Sequence, residues 1–234
     1  MPTAVITGAT KGLGRAIADI FAQNGFDLCV CSRTQADLDA MQEDWGSRFP
    51  QRTLHTDAAD LGKKPEVQEF ADFVLDRFDR IDVLVNNAGL YIPGLVSEEP
   101  SGTLETLMEV NFYSAYYLTR ALLPHMVRQG KGHIFNMCSI AGIQAYPNGG
   151  SYTISKFALR GFSMALRAEM KTRGIKVTTI LPGATWSDSW RGVDLPEDRL
   201  MQAEDVARSL WAAYNLSDSA VVEEIVLRPL LGDL

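Results

Sequence analysis

The residues TAVITGATKGLGRAIADIFAQNG (3–25) set a strand, a glycine-rich turn and a helix in direct succession. TAVIT (3–7) is a short apolar run rich in β-branched residues, the composition of a buried strand. RAIADIFAQNG (15–25) repeats its apolar residues at helical spacing, and Gly25 stands where such a helix stops. Between them TGATKGLG (7–14) places Gly8, Gly12 and Gly14 at the turn. Glycines there let the chain reverse tightly and bring backbone N–H groups close to a pyrophosphate at the helix N-terminus. The spacing is G-x-x-x-G-x-G rather than G-x-G-x-x-G. A glycine pattern alone is weak; its position after a strand and before a helix gives it weight.

The same alternation continues along the chain. Candidate strands are FDLCVCS (26–32), RTLHTD (52–57), IDVLVN (81–86), HIFNMCS (133–139), IKVTTIL (175–181) and EEIVLRP (223–229). The segments 64–79, 103–129, 151–173 and 203–215 read as amphipathic helices between them. Near-continuous apolar strands alternating with helices predict an α/β fold, a doubly wound parallel sheet covered on both faces. No repeat or linker divides the chain. Residues 182–202, PGATWSDSWRGVDLPEDRLMQ, are too polar and broken for a regular element. The expectation is one domain over 1–234 with a short lid at about 184–202.

With 234 residues, 46% hydrophobic and 22% charged, the composition is that of a globular domain with an ample core. The net charge of −7 argues against a nucleic-acid or anionic-membrane surface, both of which require clustered positive charge. The three cysteines, Cys29, Cys31 and Cys138, sit in apolar settings without a metal-binding spacing, which predicts reduced, buried thiols. No signal-peptide pattern precedes TAVITG and no apolar run approaches membrane-span length, so a soluble cytoplasmic protein is expected.

Two local features speak to chemistry. In YTISK (152–156) Tyr152 and Lys156 lie one helical turn apart on one face, and an ammonium beside a phenol favours the phenolate. At the end of the second strand stands Ser32-Arg33, where dinucleotide folds that bind a ribose 2′-hydroxyl carry an acid. Arg33, with Lys11 in the glycine turn, would attract a 2′-phosphate instead, which predicts NADP(H).

TGATKGLG, NNAG (86–89), Asn111, Ser139, YTISK and PG (182–183), in this order, resemble the short-chain dehydrogenase/reductase family over essentially the whole chain. Within it the tail VVEEIVLRPLLGDL (221–234) and the PGATWSDSW segment resemble bacterial sepiapterin-reductase-like members. The resemblance implies a Rossmann-type domain with a seven-stranded parallel sheet, hydride transfer between a nicotinamide and a carbonyl or alcohol, and a homo-oligomer (dimer or tetramer). It implies Tyr152 as acid/base, Lys156 as its activator, Ser139 as the hydroxyl orienting substrate and Asn111 as a relay toward Lys156 through an ordered water. Cofactor contacts are implied for Gly8, Thr10, Lys11, Gly12, Leu13 and Gly14 in the turn, and for Ser32 and Arg33. Asp57 and Ala58 fall beside the adenine, Asn87, Ala88 and Gly89 along its ribose, and Pro182 and Gly183 near the nicotinamide.

The family often has threonine where this chain has Ser187, four residues after the glycine of PG, and Thr185 competes with it for the carboxamide. The short lid suggests a compact substrate, and Tyr91, Tyr146, Trp186 and Trp190 would suit a flat conjugated one such as a pterin; equally, aromatics in such loops pack down or meet another subunit. Some sepiapterin reductases hold an acid near the C-terminus against the pterin, and Asp233 is the one late candidate here; a solvated tail acid is the simpler expectation. The resulting reading is an NADPH-dependent carbonyl reductase acting on a small-molecule ketone. The alternatives are a 3-oxoacyl thioester reductase and a non-catalytic dinucleotide sensor on the same fold.

Overall fold

The computed structural model describes residues 1–187, 190, 192 and 194–233. Positions 188, 189, 191 and 193 of the expected lid lie outside the described residues. The strands are β1 (Thr3–Thr7), β2 (Asp27–Ser32), β3 (Leu54–Ala58), β4 (Val83–Asn86), β5 (Gly132–Met137), β6 (Ile175–Pro182) and β7 (Glu224–Leu227). All pair in parallel in one sheet of order β3-β2-β1-β4-β5-β6-β7. The central strands β1, β4 and β5 are buried at every position, whereas β3 and β7, the two edges, are only partly covered. Parallel strands need both faces sheltered, which explains their continuous apolar runs.

The helices are α1 (Gly12–Gln23), α2 (Gln35–Arg48), α3 (Lys64–Leu75), α4 (Thr103–Met108), α5 (Ser114–Gln129), α6 (Gly150–Met170) and α7 (Ala203–Tyr214). Side chains alternate along β1: Ala4 and Ile6 face the layer of α1, α2 and α7, through Ile17, Phe21, Leu38, Met41, Val206 and Leu210. Val5, with Cys29 and Cys31 of β2, faces the layer of α3 and α5 through Phe70, Val74, Leu118 and Leu122, and α6 joins that side through Leu166. All three thiols are free and buried, as expected. The strand order reverses between β1 and β4, and the crevice that this opens beyond their carboxyl ends is where such sheets bind ligands.

Two elements depart from the sequence expectation. Helix α2 was not anticipated because QADLDAMQEDWGSR is mostly polar; only Leu38, Met41 and Trp45 are buried, and they suffice for one contact stripe. The expected helix 103–129 is interrupted by a π-helical turn at Glu109–Tyr113, which carries Asn111. Such bulges shift side-chain direction and occur often at functional sites. Among the described residues no helix is long and apolar enough to cross a membrane.

On β5, His133 is 2% exposed. Thr178 donates its hydroxyl to the Val222 carbonyl at 2.5 Å, so its oxygen accepts from His133 Nε2–H at 2.7 Å, leaving Nδ1 unprotonated and without a protein partner. Burial, and secondarily Lys176, hold the imidazole down to about 3 from an ordinary 6.5. Between those values the unfolded chain binds a proton that the folded chain refuses, so stability falls as pH drops through that window. Urea unfolding of the wild type and of His133→Gln across this range is expected to show a steeper pH dependence for the wild type. Parallel curves would exclude His133 as the linked group.

Candidate active site

The turn after β1 is clasped to the end of β4. Asn87 Nδ2 donates to the carbonyls of Thr7 and Gly8, at 2.9 and 3.0 Å, while the Thr7 hydroxyl accepts from the N–H groups of Asn87 and Ala88, both at 2.9 Å. Gly8 and Gly12 take φ values of +63° and +53°, which favour glycine. A Cβ on Gly14 would run into the Gly8 carbonyl oxygen and the Asn87 amide. The first turn of α1 carries no acidic residue, and Lys11 at its N-cap makes no side-chain cap. Its N–H groups are therefore free to meet an anion, and the cradle fits a dinucleotide pyrophosphate.

Beside the turn, Thr10 donates to the Ser32 hydroxyl at 3.2 Å. Arg33 is exposed next to it, and Lys11 reaches Asp37 at 3.0 Å from a largely solvated position. Asp57 and Ala58 end β3 alongside, in register with Cys31 and Ser32. Burial raises the Asp57 carboxyl above its ordinary value, with Arg77 opposing the shift.

A cavity of about 550 Å³ opens beyond the sheet. Ser139, two residues past β5, and Tyr152 and Lys156, in the first two turns of α6, reach it from two different elements. The Ser139 hydroxyl accepts from the Ala141 N–H at 3.1 Å and keeps its own proton to donate. Lys156 is 4% exposed; its Nζ donates to the Met137 carbonyl at 3.0 Å and lies 5.7 Å from the centre of the Tyr152 ring.

The electrostatics differ from the sequence expectation. Burial pushes the Tyr152 phenol up to about 12, with the neighbouring Ser139 hydroxyl pulling the other way. Burial likewise lowers the Lys156 ammonium. The ammonium is turned toward the Met137 carbonyl, so in the protein alone desolvation outweighs its effect on the phenol.

Asn111 is 1% exposed: its Oδ1 accepts from Leu90 N–H at 2.7 Å, and both hydrogens of its Nδ2 are donated, to the Leu90 carbonyl and to Ser155 Oγ, each at 2.9 Å. These bonds join the loop after β4 directly to α6 through one buried amide. It remains close to Lys156, since a Cβ on Gly89 would lie 3.4 Å from Asn111 Oδ1 and 3.6 Å from Lys156 Nζ.

Leu13, Asn87, Gly89, Pro182 and Gly183 line the cavity, joined by Tyr91, Tyr146 and Trp190. Tyr91 packs edge-on against Tyr152, ring centres 4.9 Å apart. Trp186 does not join them; its indole N–H donates to the Glu197 carbonyl at 2.7 Å and pins the chain that follows. The hydroxyl of Thr185 is taken up by the Gly183 carbonyl at 3.0 Å, whereas Ser187 is exposed to the cavity and approaches Gly12.

The tail corrects the expectation of a solvated acid at Asp233. Its carboxylate lines the cavity, one oxygen held by Arg228 and the other, Oδ1, buried without a partner among the described residues. Arg199 fastens the tail through the carbonyls of Gly232 and Asp233, at 2.9 and 3.2 Å. Sequence reading missed Arg228, whose one available signal was a base five positions before that acid.

Comparison with known proteins bears on the same elements. The family model for short chain dehydrogenase matches residues 2–197. A sepiapterin reductase of Chlorobaculum tepidum is 35% identical over 98% of this chain and 97% of that protein. An alcohol dehydrogenase of the archaeon Thermococcus sibiricus, solved with 5-hydroxy-NADP, superposes with a TM-score of 0.91 at 27% identity over 100% of this chain and 99% of that one. The L-sorbose reductase of Gluconobacter frateurii, solved with NADPH and L-sorbose, gives 0.90 at 25% identity over 97% and 95%. The parallel sheet, its glycine turn and this degree of likeness lead to one conclusion: the chain belongs to the short chain dehydrogenase family and is an oxidoreductase of that family.

Proposed function

We propose that the protein reduces a ketone with NADPH, and that the ketone is the side-chain carbonyl of a pterin or a similarly flat compound. The observation that carries the reading is the meeting of Tyr152, Ser139 and Lys156 at one cavity beside the uncapped start of α1. Bound there, NADPH supplies hydride to the carbonyl carbon. The residues of the glycine turn hold its pyrophosphate, Arg33 and Lys11 its 2′-phosphate, and Ser187 its carboxamide. Asp57 and Ala58 flank the adenine; Asn87, Ala88 and Gly89 follow the ribose.

Ser139 donates to the carbonyl oxygen and aligns it with Tyr152, which gives up its phenolic proton as the alkoxide forms. Burial that holds the phenol up to about 12 works against proton release, so the donor role calls on positive charge close to the developing phenolate. Lys156 contributes its charge as the phenolate develops, and Asn111 fixes the loop and helix between which it lies. Residues 184–202 act as the lid. Tyr91, Tyr146 and Trp190 offer walls to a planar ring, and the unpartnered Oδ1 of Asp233 offers an acceptor for the amino-pyrimidine N–H groups. Similarity to a sepiapterin reductase supports the same substrate class.

Loss of NADPH absorbance with sepiapterin, small diketones and acetoacetyl thioesters tests this. Tyr152→Phe is expected to lower turnover of every substrate by about 10²–10⁴-fold. Asp233→Asn is expected to lower kcat/KM for sepiapterin by about 10–100-fold and to spare the diketones. Turnover of diketones or thioesters alone would remove the pterin assignment. NADPH binding without turnover of any carbonyl would favour a dinucleotide sensor.

For the cofactor, Arg33→Ala is expected to weaken NADPH about 10–100-fold while leaving NADH nearly unchanged. Equal losses for both would disconnect Arg33 from the 2′-phosphate.

The reading includes a homo-oligomer. Ile154, Phe157 and Met164 are exposed apolar residues on one face of α6, and Gly161 between them has open space where a Cβ would stand. Light scattering is expected to return a multiple of the 25.8 kDa chain, reduced to one chain by Phe157→Glu. A single-chain mass for the wild type would refute it.

A further inference from the structure

Helix α6 begins at a conformationally permissive stretch of backbone. Gly149 at its N-cap provides no side chain, Gly150 has φ +31°, and Asn148 before them has φ +58°. Consecutive glycines give the chain its greatest freedom two residues before Tyr152. The first N–H groups of a helix have no partner within it, and no local side chain answers them here.

The answer comes from 52 positions away in sequence: Glu99 accepts the Ser151 N–H through Oε1 at 2.8 Å and the Ser151 hydroxyl, in a short bond, through Oε2. The carboxylate also sits at the positive end of the helix dipole. Its surroundings are shaped to admit it. A Cβ on Gly94 would lie 2.7 Å from Glu99 Cγ, and one on Gly150 would strike the carboxylate. The Gly94 N–H donates to the Asn148 carbonyl at 3.0 Å, tying the two loops together. The same 90–102 segment reaches the phenol itself through Tyr91.

We propose that Glu99 is a positioning residue for Tyr152: acting through Ser151, it fixes the first turn of α6 and with it the place of the phenol. The inference rests on Tyr152 being the proton donor, as assigned above. Lys156, one turn deeper, has its own anchors, since its Nζ donates to the Met137 carbonyl and its carbonyl accepts from Cys138 Sγ at 3.2 Å. Loss of Glu99 therefore displaces the phenol and leaves Lys156 where it is. A residue that only stabilised the fold would not separate the two.

The test uses Glu99→Ala, Glu99→Gln and Ser151→Ala in the full chain beside Tyr152→Phe, with kcat, KM, NADPH affinity, Tm and the solvent deuterium isotope effect on kcat. Glu99→Ala is expected to lower kcat about 10–100-fold, with NADPH affinity close to that of the wild type and a larger isotope effect as proton transfer becomes limiting. Glu99→Gln, whose amide oxygen still accepts from Ser151, is expected to recover most of the loss. An unchanged kcat in folded Glu99→Ala overturns the proposal. So does a loss that tracks NADPH affinity and Tm together, which marks general loosening. Should Glu99→Ala fail to fold, Ser151→Ala carries the test, an intermediate loss supporting the proposal and full activity overturning it. Full activity of Tyr152→Phe would remove the proton-donor assignment itself; an inactive Tyr152→Phe beside a fully active Glu99→Ala would remove only the role of Glu99.

Discussion

The bonds between Thr7 and the Asn87–Ala88 backbone, with those of the Asn87 amide to Thr7 and Gly8, hold together the two strand ends between which the chain reverses its winding. At that reversal the crossover helices leave in opposite directions, so no helix covers the gap. A crevice of this kind stays a crevice only if its lips are tied. Thr7 and Asn87 do this with side chains that point along the sheet rather than into it, and the glycine turn keeps its shape because Gly14 leaves room for the Asn87 amide.

Burial then sets the chemistry of the pocket. It raises the Tyr152 phenol and lowers the Lys156 ammonium, so both side chains are biased toward their neutral forms. The Lys156 ammonium meanwhile shares its charge with a backbone carbonyl, that of Met137, in place of water.

Much of this was legible in residue order. Strand positions followed from short β-branched runs, since a parallel strand buried on both faces has almost no polar residue to confuse its reading. The glycine turn and the Tyr152–Lys156 spacing are local patterns, and local patterns survive in one dimension. What escaped was long-range or sparse. Helix α2 presents three buried residues in fourteen, too thin a stripe to register. The π-helical turn around Asn111 depends on bonds to Leu90 and Ser155, 21 and 44 positions away. The placing of Asp233 depends on Arg228 and Arg199, and no spacing rule announces that a tail folds back onto a cavity. Trp186 misled for the opposite reason: an aromatic beside a pocket invites a ligand role, and a backbone carbonyl claims its indole instead.

Ser139 and Lys156 are both moored to the exit of β5, where Gly142 lets the helix backbone come close; a Cβ there would lie 3.0 Å from the Lys156 carbonyl oxygen. Tyr152 belongs to the first turn of α6 and to the loop that closes it. Helix ends breathe more readily than strand-anchored interiors. Any opening of that turn would therefore move the phenol alone, because the hydroxyl and the ammonium are held at the strand.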